Sequence, residues 1–161
     1  MGDTKWGELD FFIVDFPPGT GDEILTVTQS IKLDAAVIVT TPQEVALLDT
    51  GKAVNFMKKM GVPYVAVVEN MSYLICPHCG NEIDLFGRGG GRKLAEKEGV
   101  NFLGEIPIDL KAREASDAGI PIVLYGDTSA AKAIEEIAEK LVKKLEETKG
   151  GEETEELSTP L

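Results

Sequence analysis

Acidic residues and a glycine turn near the start of the sequence could bind a metal ion and a phosphate. The apolar run over 11–14 ends at Asp15, and a Pro-Pro-Gly turn that ends at Gly19 follows. An acid at the end of a buried strand can hold Mg²⁺, usually through water, because this ion keeps much of its hydration shell. A proline-stiffened glycine turn can direct a backbone N–H at a terminal phosphate. The alternative is an ordinary turn in which Thr20 or Asp22 caps a helix.

The two cysteines of the chain, Cys76 and Cys79, form a second candidate site. In Cys-Pro-His-Cys-Gly, both thiolates come from one tight turn and can bind a single metal ion or cluster. Structural zinc and cubane iron–sulfur clusters use four ligands, so a symmetric dimer could supply four thiolates across its two-fold axis. We expect His78, inside the turn, to point away from the metal. The alternatives are idle cysteines and a redox pair, although no helix obviously begins at Cys76 to lower its pKa.

The segment around the cysteines, about 71–89, shows no convincing periodicity. Loops of this length inside a compact domain are uncommon and are usually functional or disordered. Simple disorder is disfavoured here, because the segment carries several apolar side chains. The glycine cluster over 87–93 does not fit the phosphate-loop pattern, and we interpret it as a flexible joint before a helix.

Composition restricts the class of protein. Of the 161 residues, 28 are acidic and 16 are basic, which gives a formal net charge of −12. This charge argues against nucleic acid as a partner, since phosphate binding needs a basic surface, and against adhesion to an anionic membrane. No segment has the apolar length of a transmembrane helix, and the N-terminus lacks the pattern of a signal peptide. We therefore expect a cytoplasmic protein.

Apolar runs alternate with helical patterns along the chain. We predict strands over 11–16, 35–41, 64–70 and 101–107. We predict helices over 22–31, 91–99 and 109–118, and one that runs from a capping box at 41–44 to about residue 60. A short extended run follows over 121–125, and then a long helix that Asp127 or Thr128 caps. Buried strands alternating with helices predict an α/β fold with a doubly wound, mainly parallel sheet covered by helices on both faces. Ligands bind such sheets beyond the carboxyl ends of their strands. We place one domain over 1–148 and an acidic, disordered tail over 149–161.

Several strings in this sequence resemble one known family. They include WGELDFFIVDFPPGTGDE, VIVTTPQEVALLDTGKAVNF, VVENMSYLICPHCG and LFGRGGGRKLAEKEGVNFLGEIPID, in this order. The sequence resembles the Mrp/ApbC family of ATP-binding iron–sulfur cluster carriers, relatives of the MinD-type deviant-Walker P-loop ATPases. The resemblance covers about residues 6–123.

The resemblance implies roles for particular residues. Asp15 is similar to the catalytic Walker B acid, and Gly19 to the glycine that faces the γ-phosphate. Asn70 resembles the residue that contacts adenine, and Pro107 the backbone segment that lines the base. Cys76 and Cys79 resemble the pair that holds a bridging 4Fe-4S cluster in a homodimer. Such carriers pass the cluster to apo iron–sulfur proteins, and ATP with Mg²⁺ is linked to that transfer.

The family's phosphate loop, a glycine-rich turn with two lysines, has no counterpart in these 161 residues. The resemblance is therefore to the C-terminal portion of the domain. Each missing charge-assisted hydrogen bond is worth roughly 1.5–3 kcal/mol, so we expect this chain by itself to be inactive as an ATPase. We also expect the strand over 11–16 to present an unpaired apolar edge.

Three functions follow from these residues. The first is a cluster carrier whose cysteine pair works in a homodimer. The second is half of a split ATPase, completed by a separate chain that bears the Walker A loop. The third is a truncated zinc-knuckle interaction module without ATPase activity. The sequence does not choose between zinc and an iron–sulfur cluster, because both bind thiolates.

Overall fold

A computed structural model describes residues 4–17, 19, 21–125 and 127–156. The strands are β1 (Ala35–Thr40), β2 (Tyr64–Ile75), β3 (Glu82–Ile83) and β4 (Asn101–Ile108). The helices are α1 (Asp22–Ser30), α2 (Glu44–Lys59), α3 (Gly90–Glu98), α4 (Leu110–Asp117), α5 (Ile122–Tyr125) and α6 (Ser129–Glu156). Within the described ranges, none of the helices combines the length and the apolar character that a membrane crossing requires.

Strand β2 lies at the centre of the sheet. It pairs in parallel with β1 on one side and with β4 on the other. The far end of β2 pairs with β3, which runs antiparallel to it. The mainly parallel sheet that the sequence predicts is therefore confirmed.

Alternate residues of β2 build two cores, one on each face of the sheet. Val65 and Val67 pack with residues of α1, α2 and α3 on one face. Tyr64, Ala66 and Val68 face the other way, where Ile137 and Leu141 of α6 cover them. Because both faces are covered, this part of β2 is apolar throughout, and an alternating pattern of apolar and polar residues is absent.

The predicted strand over 11–16 is wrong, since this segment has no regular structure. Ile13 is 89% exposed, and only Phe16 of this segment packs against a core. A strand must pair its backbone N–H and C=O groups, and in the described part of the chain the strand pairings join only β1, β2, β3 and β4. Periodicity could not reveal this, because an apolar run does not show whether a neighbouring strand is available.

Three other predictions concern the ends of helices and the short extended run. The capping box at 41–44 is wrong: Gln43 is the N-cap of α2, and the Thr41 hydroxyl donates to the Gln43 side chain instead. The extended run over 121–125 is wrong as well, because α5 occupies it. The cap of α6 is confirmed, since Thr128 Oγ1 accepts a hydrogen bond from the Ala131 N–H at 3.0 Å.

Helix α6 continues past the predicted domain boundary at residue 148, as far as Glu156. The remainder of the predicted tail, 157–161, lies outside the described residues. That residues 149–161 form a separate, disordered tail therefore stays a prediction.

The glycine cluster begins α3 at a tightly packed position and is not a flexible joint. A Cβ atom on Gly90 would lie 2.6 Å from the Pro42 carbonyl oxygen and 2.7 Å from a methyl group of Leu47. Real Cβ atoms do not approach a backbone oxygen so closely. The absence of a side chain at Gly90 therefore lets α3 start directly beside the loop that follows β1.

A pair of alanine substitutions tests this packing. We expect Gly90→Ala to destabilise the protein by about 1–3 kcal/mol, since the added methyl group meets rigid backbone. Gly51→Ala is the matched control, because Gly51 lies inside α2 and a Cβ atom there would be an ordinary 3.6 Å from a methyl group of Leu94. The control should gain about 0.5–1 kcal/mol from helix propensity. Denaturant unfolding of both variants measures the difference, and equal effects would contradict the packing role.

Candidate functional site

The cysteine pair lies at the tip of a short antiparallel ribbon. Strand β2 continues beyond the predicted end at residue 70, and its last residues pair as Leu74↔Ile83 and Ile75↔Glu82 with β3. Met71 adopts φ 55° within this stretch, and the pairing between β2 and β4 shifts register after Asn70. Beyond the shift, Leu74 still pairs with Ile108 of β4, and the cysteine turn follows directly after the end of β2.

Backbone hydrogen bonds close the cysteine turn. The Cys76 N–H donates to the Asn81 carbonyl at 2.8 Å, and the Gly80 N–H donates to the Cys76 carbonyl at 2.9 Å. Gly80 takes a left-handed conformation, φ 73°, which favours glycine. The turn is therefore closed by hydrogen bonds within the chain.

Both thiols are free, with Cys79 exposed and Cys76 partly exposed. The pKa of Cys76 is lowered, first by the backbone N–H of Cys79, then by the backbone N–H of His78 and the Cys79 side chain. These donors stabilise a thiolate, which is the form that binds metals. The His78 side chain is exposed.

The cysteine pair offers two thiol ligands in one copy of the chain. Among the described residues, no group of three or more His, Cys, Asp or Glu side chains could hold a metal ion. That His78 is not a third ligand stays a prediction, and so does a four-ligand centre shared between two copies of the chain.

Arg88 joins the end of the cysteine loop to the sheet. Its guanidinium pairs with Glu82 of β3, donates to Glu105 of β4 at 2.9 Å, and lies 4.2 Å from the centre of the Tyr73 ring. The hydrogen bond to Glu82 is the largest cause of the raised pKa of Arg88, so this residue stays charged. A planar guanidinium suits a site with two carboxylates and an aromatic face.

Glu69 connects the two ends of the cysteine loop. The side chain is fully buried, at 0% exposure. Its carboxylate accepts hydrogen bonds from the Ser72 hydroxyl at 2.6 Å and from the Gly89 and Gly91 N–H groups at 2.8 and 2.5 Å. Ser72 precedes the cysteines, whereas both glycines follow them.

Two of the predicted nucleotide contacts are neighbours at the carboxyl edge of the sheet. Asn70 pairs in register with Ile106, the residue before Pro107. The Asn70 side-chain oxygen accepts a hydrogen bond from the Met71 N–H at 2.9 Å, which fixes the orientation of the amide. Pro107 itself is buried.

The other two predicted nucleotide residues lie outside the sheet. Asp15 and Gly19 are exposed residues without helix or strand structure. Gly19 has φ 107°, a conformation that favours glycine. The roles of Asp15, Gly19, Asn70 and Pro107 stay predictions.

The sequence analysis missed Glu69 and Arg88. A signal for Glu69 was present, since an acid at the end of the apolar run YVAVV must find buried hydrogen-bond donors. Nothing in the sequence pointed to Arg88, because its partners lie on three separate strands.

Solved structures with this architecture define the class of protein. A nucleotide-binding protein from Archaeoglobus fulgidus, solved in complex with ADP, aligns with TM-score 0.62 and 45% identity over 71% of this chain and 47% of its own. The cell division ATPase MinD from Pyrococcus furiosus aligns with TM-score 0.64 and 28% identity over 83% of this chain and 52% of its own. The chain therefore has the α/β fold of the MinD-like P-loop NTPases.

The family is narrower than this class. The model of the NUBPL iron-transfer P-loop NTPases, within the ParA group, matches residues 1–142, and the chain belongs to this family. An iron-sulfur cluster carrier protein from Pyrococcus abyssi is 83% identical over 96% of this chain, and the iron-sulfur cluster transfer protein NUBPL from Dictyostelium discoideum is 50% identical over 89% of it. The chain spans 52% and 45% of their lengths, respectively, or about half. The resemblance found in the sequence is confirmed.

The lowered pKa of Cys76 can be measured by alkylation. In a Cys79→Ser variant, Cys76 is the only thiol, and the backbone N–H of residue 79 is retained. We expect the rate of reaction with iodoacetamide to rise with pH around a midpoint below the ordinary thiol value of about 8.5. The same variant in urea serves as the control, because unfolding removes the N–H donors. An equal midpoint in both conditions would contradict the proposed cause.

Proposed function

We propose that this chain carries an iron–sulfur cluster, and that Cys76 and Cys79 of two copies bind one bridging 4Fe-4S cluster. The observation that carries the proposal is the hydrogen-bonded Cys-Pro-His-Cys turn, which offers two free thiols. Two such turns facing each other supply the four thiolates that a cubane cluster uses. Membership in an iron-transfer family supports iron as the metal.

The surface around the turn suits a second copy of the chain. Ile75 is 39% exposed, and Ile83, Leu85 and Phe86 are 43%, 56% and 40% exposed. Apolar side chains at the core of an interface, with polar residues around them, are typical of homodimers. A symmetric dimer formed here would bring both cysteine turns to its axis.

Transfer to an apo-protein is a ligand exchange. Bonds from iron to the carrier thiolates break as bonds to the recipient's thiolates form, and the protons of the recipient's thiols pass to the carrier's thiolates or to water. No electrons are exchanged in this step. The exposed tip position of the turn allows a recipient's cysteines to approach the cluster.

Anaerobic reconstitution with iron and sulfide tests cluster binding. Wild-type protein should take up about four iron and four sulfide per dimer, with a broad visible absorption, and should elute as a dimer. Cys76→Ser and Cys79→Ser should each abolish a stable cluster, because each removes two of the four thiolates from the dimer. His78→Ala is the matched control within the same turn and should bind normally.

The metal content of protein isolated without oxygen separates this function from a zinc-knuckle interaction module. One zinc per dimer with no iron, or an unchanged chromophore in Cys76→Ser, would overturn the carrier proposal. Incubation of the loaded protein with an apo-protein that accepts such clusters then tests transfer.

We further propose that the carboxyl edge of the sheet forms the base side of an ATP site. The adjacency of Asn70 to Pro107 favours this function, and so does the ADP bound to the similar nucleotide-binding protein from Archaeoglobus fulgidus. Asp15, an oxygen donor of the kind that Mg²⁺ prefers, and Gly19 would contribute on the phosphate side.

A fluorescent ATP analogue tests the nucleotide site. We expect weak binding to this chain, and Mg²⁺-dependent turnover when a separate chain that bears a family phosphate loop is added. Asp15→Asn should remove turnover in the mixture, whereas Asp10→Asn, five residues earlier, should not. A mixture without turnover would exclude the split-ATPase function.

A further inference from the structure

The buried carboxylate of Glu69 has no part in the functions proposed above. It lies at the end of the buried part of β2, in register with Thr40 on β1 and Glu105 on β4. The residues before it on β2 are apolar and buried on both sides of the sheet. Burial of a carboxylate is costly unless hydrogen-bond donors replace water, so the partners of Glu69 indicate what it does.

All three hydrogen-bond partners of Glu69 belong to the ends of the cysteine loop. One oxygen accepts from the Ser72 hydroxyl and from the Gly89 N–H, and the other accepts from the Gly91 N–H. Gly89 is the N-cap of α3 and Gly91 lies in its first turn. The positive end of the helix dipole therefore points toward the carboxylate.

Helix α3 packs closely against Glu69 at Gly91. A Cβ atom on Gly91 would lie 3.2 Å from the Glu69 side chain and 3.2 Å from a methyl group of Thr40. Helix α3 can approach the carboxylate this closely because residue 91 has no side chain. This contact gives the glycine cluster a role that is unrelated to phosphate binding.

Three other contacts hold the cysteine loop. The ribbon between β2 and β3 consists of the pairs Leu74↔Ile83 and Ile75↔Glu82, and a ribbon this short is marginally stable by itself in water. Leu74 also pairs with Ile108 of β4. Arg88 provides a further connection, but its side chain is 33% exposed. The hydrogen bonds to Glu69 differ from these contacts, because they join both ends of the loop to one buried carboxylate.

We infer that Glu69 is a positioning residue for the cysteine pair, which ties both ends of the loop to one buried carboxylate and so holds Cys76 and Cys79 in place to bind a cluster. The inference rests on the proposed function for the identity of the metal centre. Residues that orient ligands in this way raise the affinity of a site, because less order has to be created when the metal binds.

A graded set of variants tests the contribution of each carboxylate oxygen of Glu69. Glu69→Ala removes every acceptor. Glu69→Gln keeps one oxygen, which can still accept from Ser72 and Gly89, but places an NH₂ group toward the Gly91 N–H. Ser72→Ala removes only the donor at the start of the loop. Glu98→Gln is the control, since Glu98 accepts a hydrogen bond from Asn55 at the other end of α3.

Amide hydrogen exchange of the metal-free, full-length chain gives the first measurement. We expect exchange across 71–91 to be fastest in Glu69→Ala and intermediate in Glu69→Gln and Ser72→Ala, with β1 and β4 unchanged. Glu98→Gln should match the wild type in this segment. Unchanged exchange over 71–91 in Glu69→Gln and Ser72→Ala would overturn the inference, even if Glu69→Ala does not fold.

Release of iron to a chelator from the reconstituted protein gives the second measurement. Loss of a hydrogen bond to a charged group should speed release about tenfold in Glu69→Gln and Ser72→Ala relative to Glu98→Gln, with an altered visible spectrum. Normal release from Glu69→Gln and Ser72→Ala would contradict the positioning role. Failure of the wild type to bind a cluster would overturn the proposed function instead, and hydrogen exchange would still decide the role of Glu69 in the loop.

Discussion

The rest of the structure depends on one constraint, which is that β2 is buried on both faces and paired on both edges. Because Val67 and its neighbours must be covered from two sides, α1, α2 and α3 lie on one face and α6 lies on the other. Parallel pairing with β1 and β4 then brings the carboxyl ends of all three strands to one edge. Every candidate functional residue within the sheet lies at that edge or beyond it.

At this edge, β2 changes from a core strand into the support of a metal-binding loop. Glu69 is the last residue of the continuously buried stretch, and Met71 with its positive φ lies where the pairing of β2 with β4 becomes irregular. One strand therefore carries both Asn70, which is predicted to contact a nucleotide base, and the ribbon that presents the cysteines. The two proposed sites therefore share one strand, with one buried carboxylate beside them.

Much of the architecture could be predicted from local patterns. Apolar runs over 35–41, 64–70 and 101–107 identified three strands, because the strands of a parallel sheet that helices cover are mostly apolar. Three further features depend on residues close in sequence: the cysteine pair, the Thr128 cap, and the end of α2 before Gly61, which has φ 74°. The segment over 11–16 has the same apolar pattern but no strand to pair with, and a local pattern carries no information about pairing.

The sequence by itself determined the fold class, the cysteine turn and the family to which the chain belongs, since all of these depend on residue type and local spacing. Only the tertiary structure decided how the cysteine loop is closed. Gly89 and Gly91 are brought to Glu69, and Glu105 to Arg88, by the pairing of strands and the packing of α3. Such contacts join residues that are distant along the chain, and hydrogen-bond donors for a buried carboxylate become identifiable only once the strands and helices have packed together.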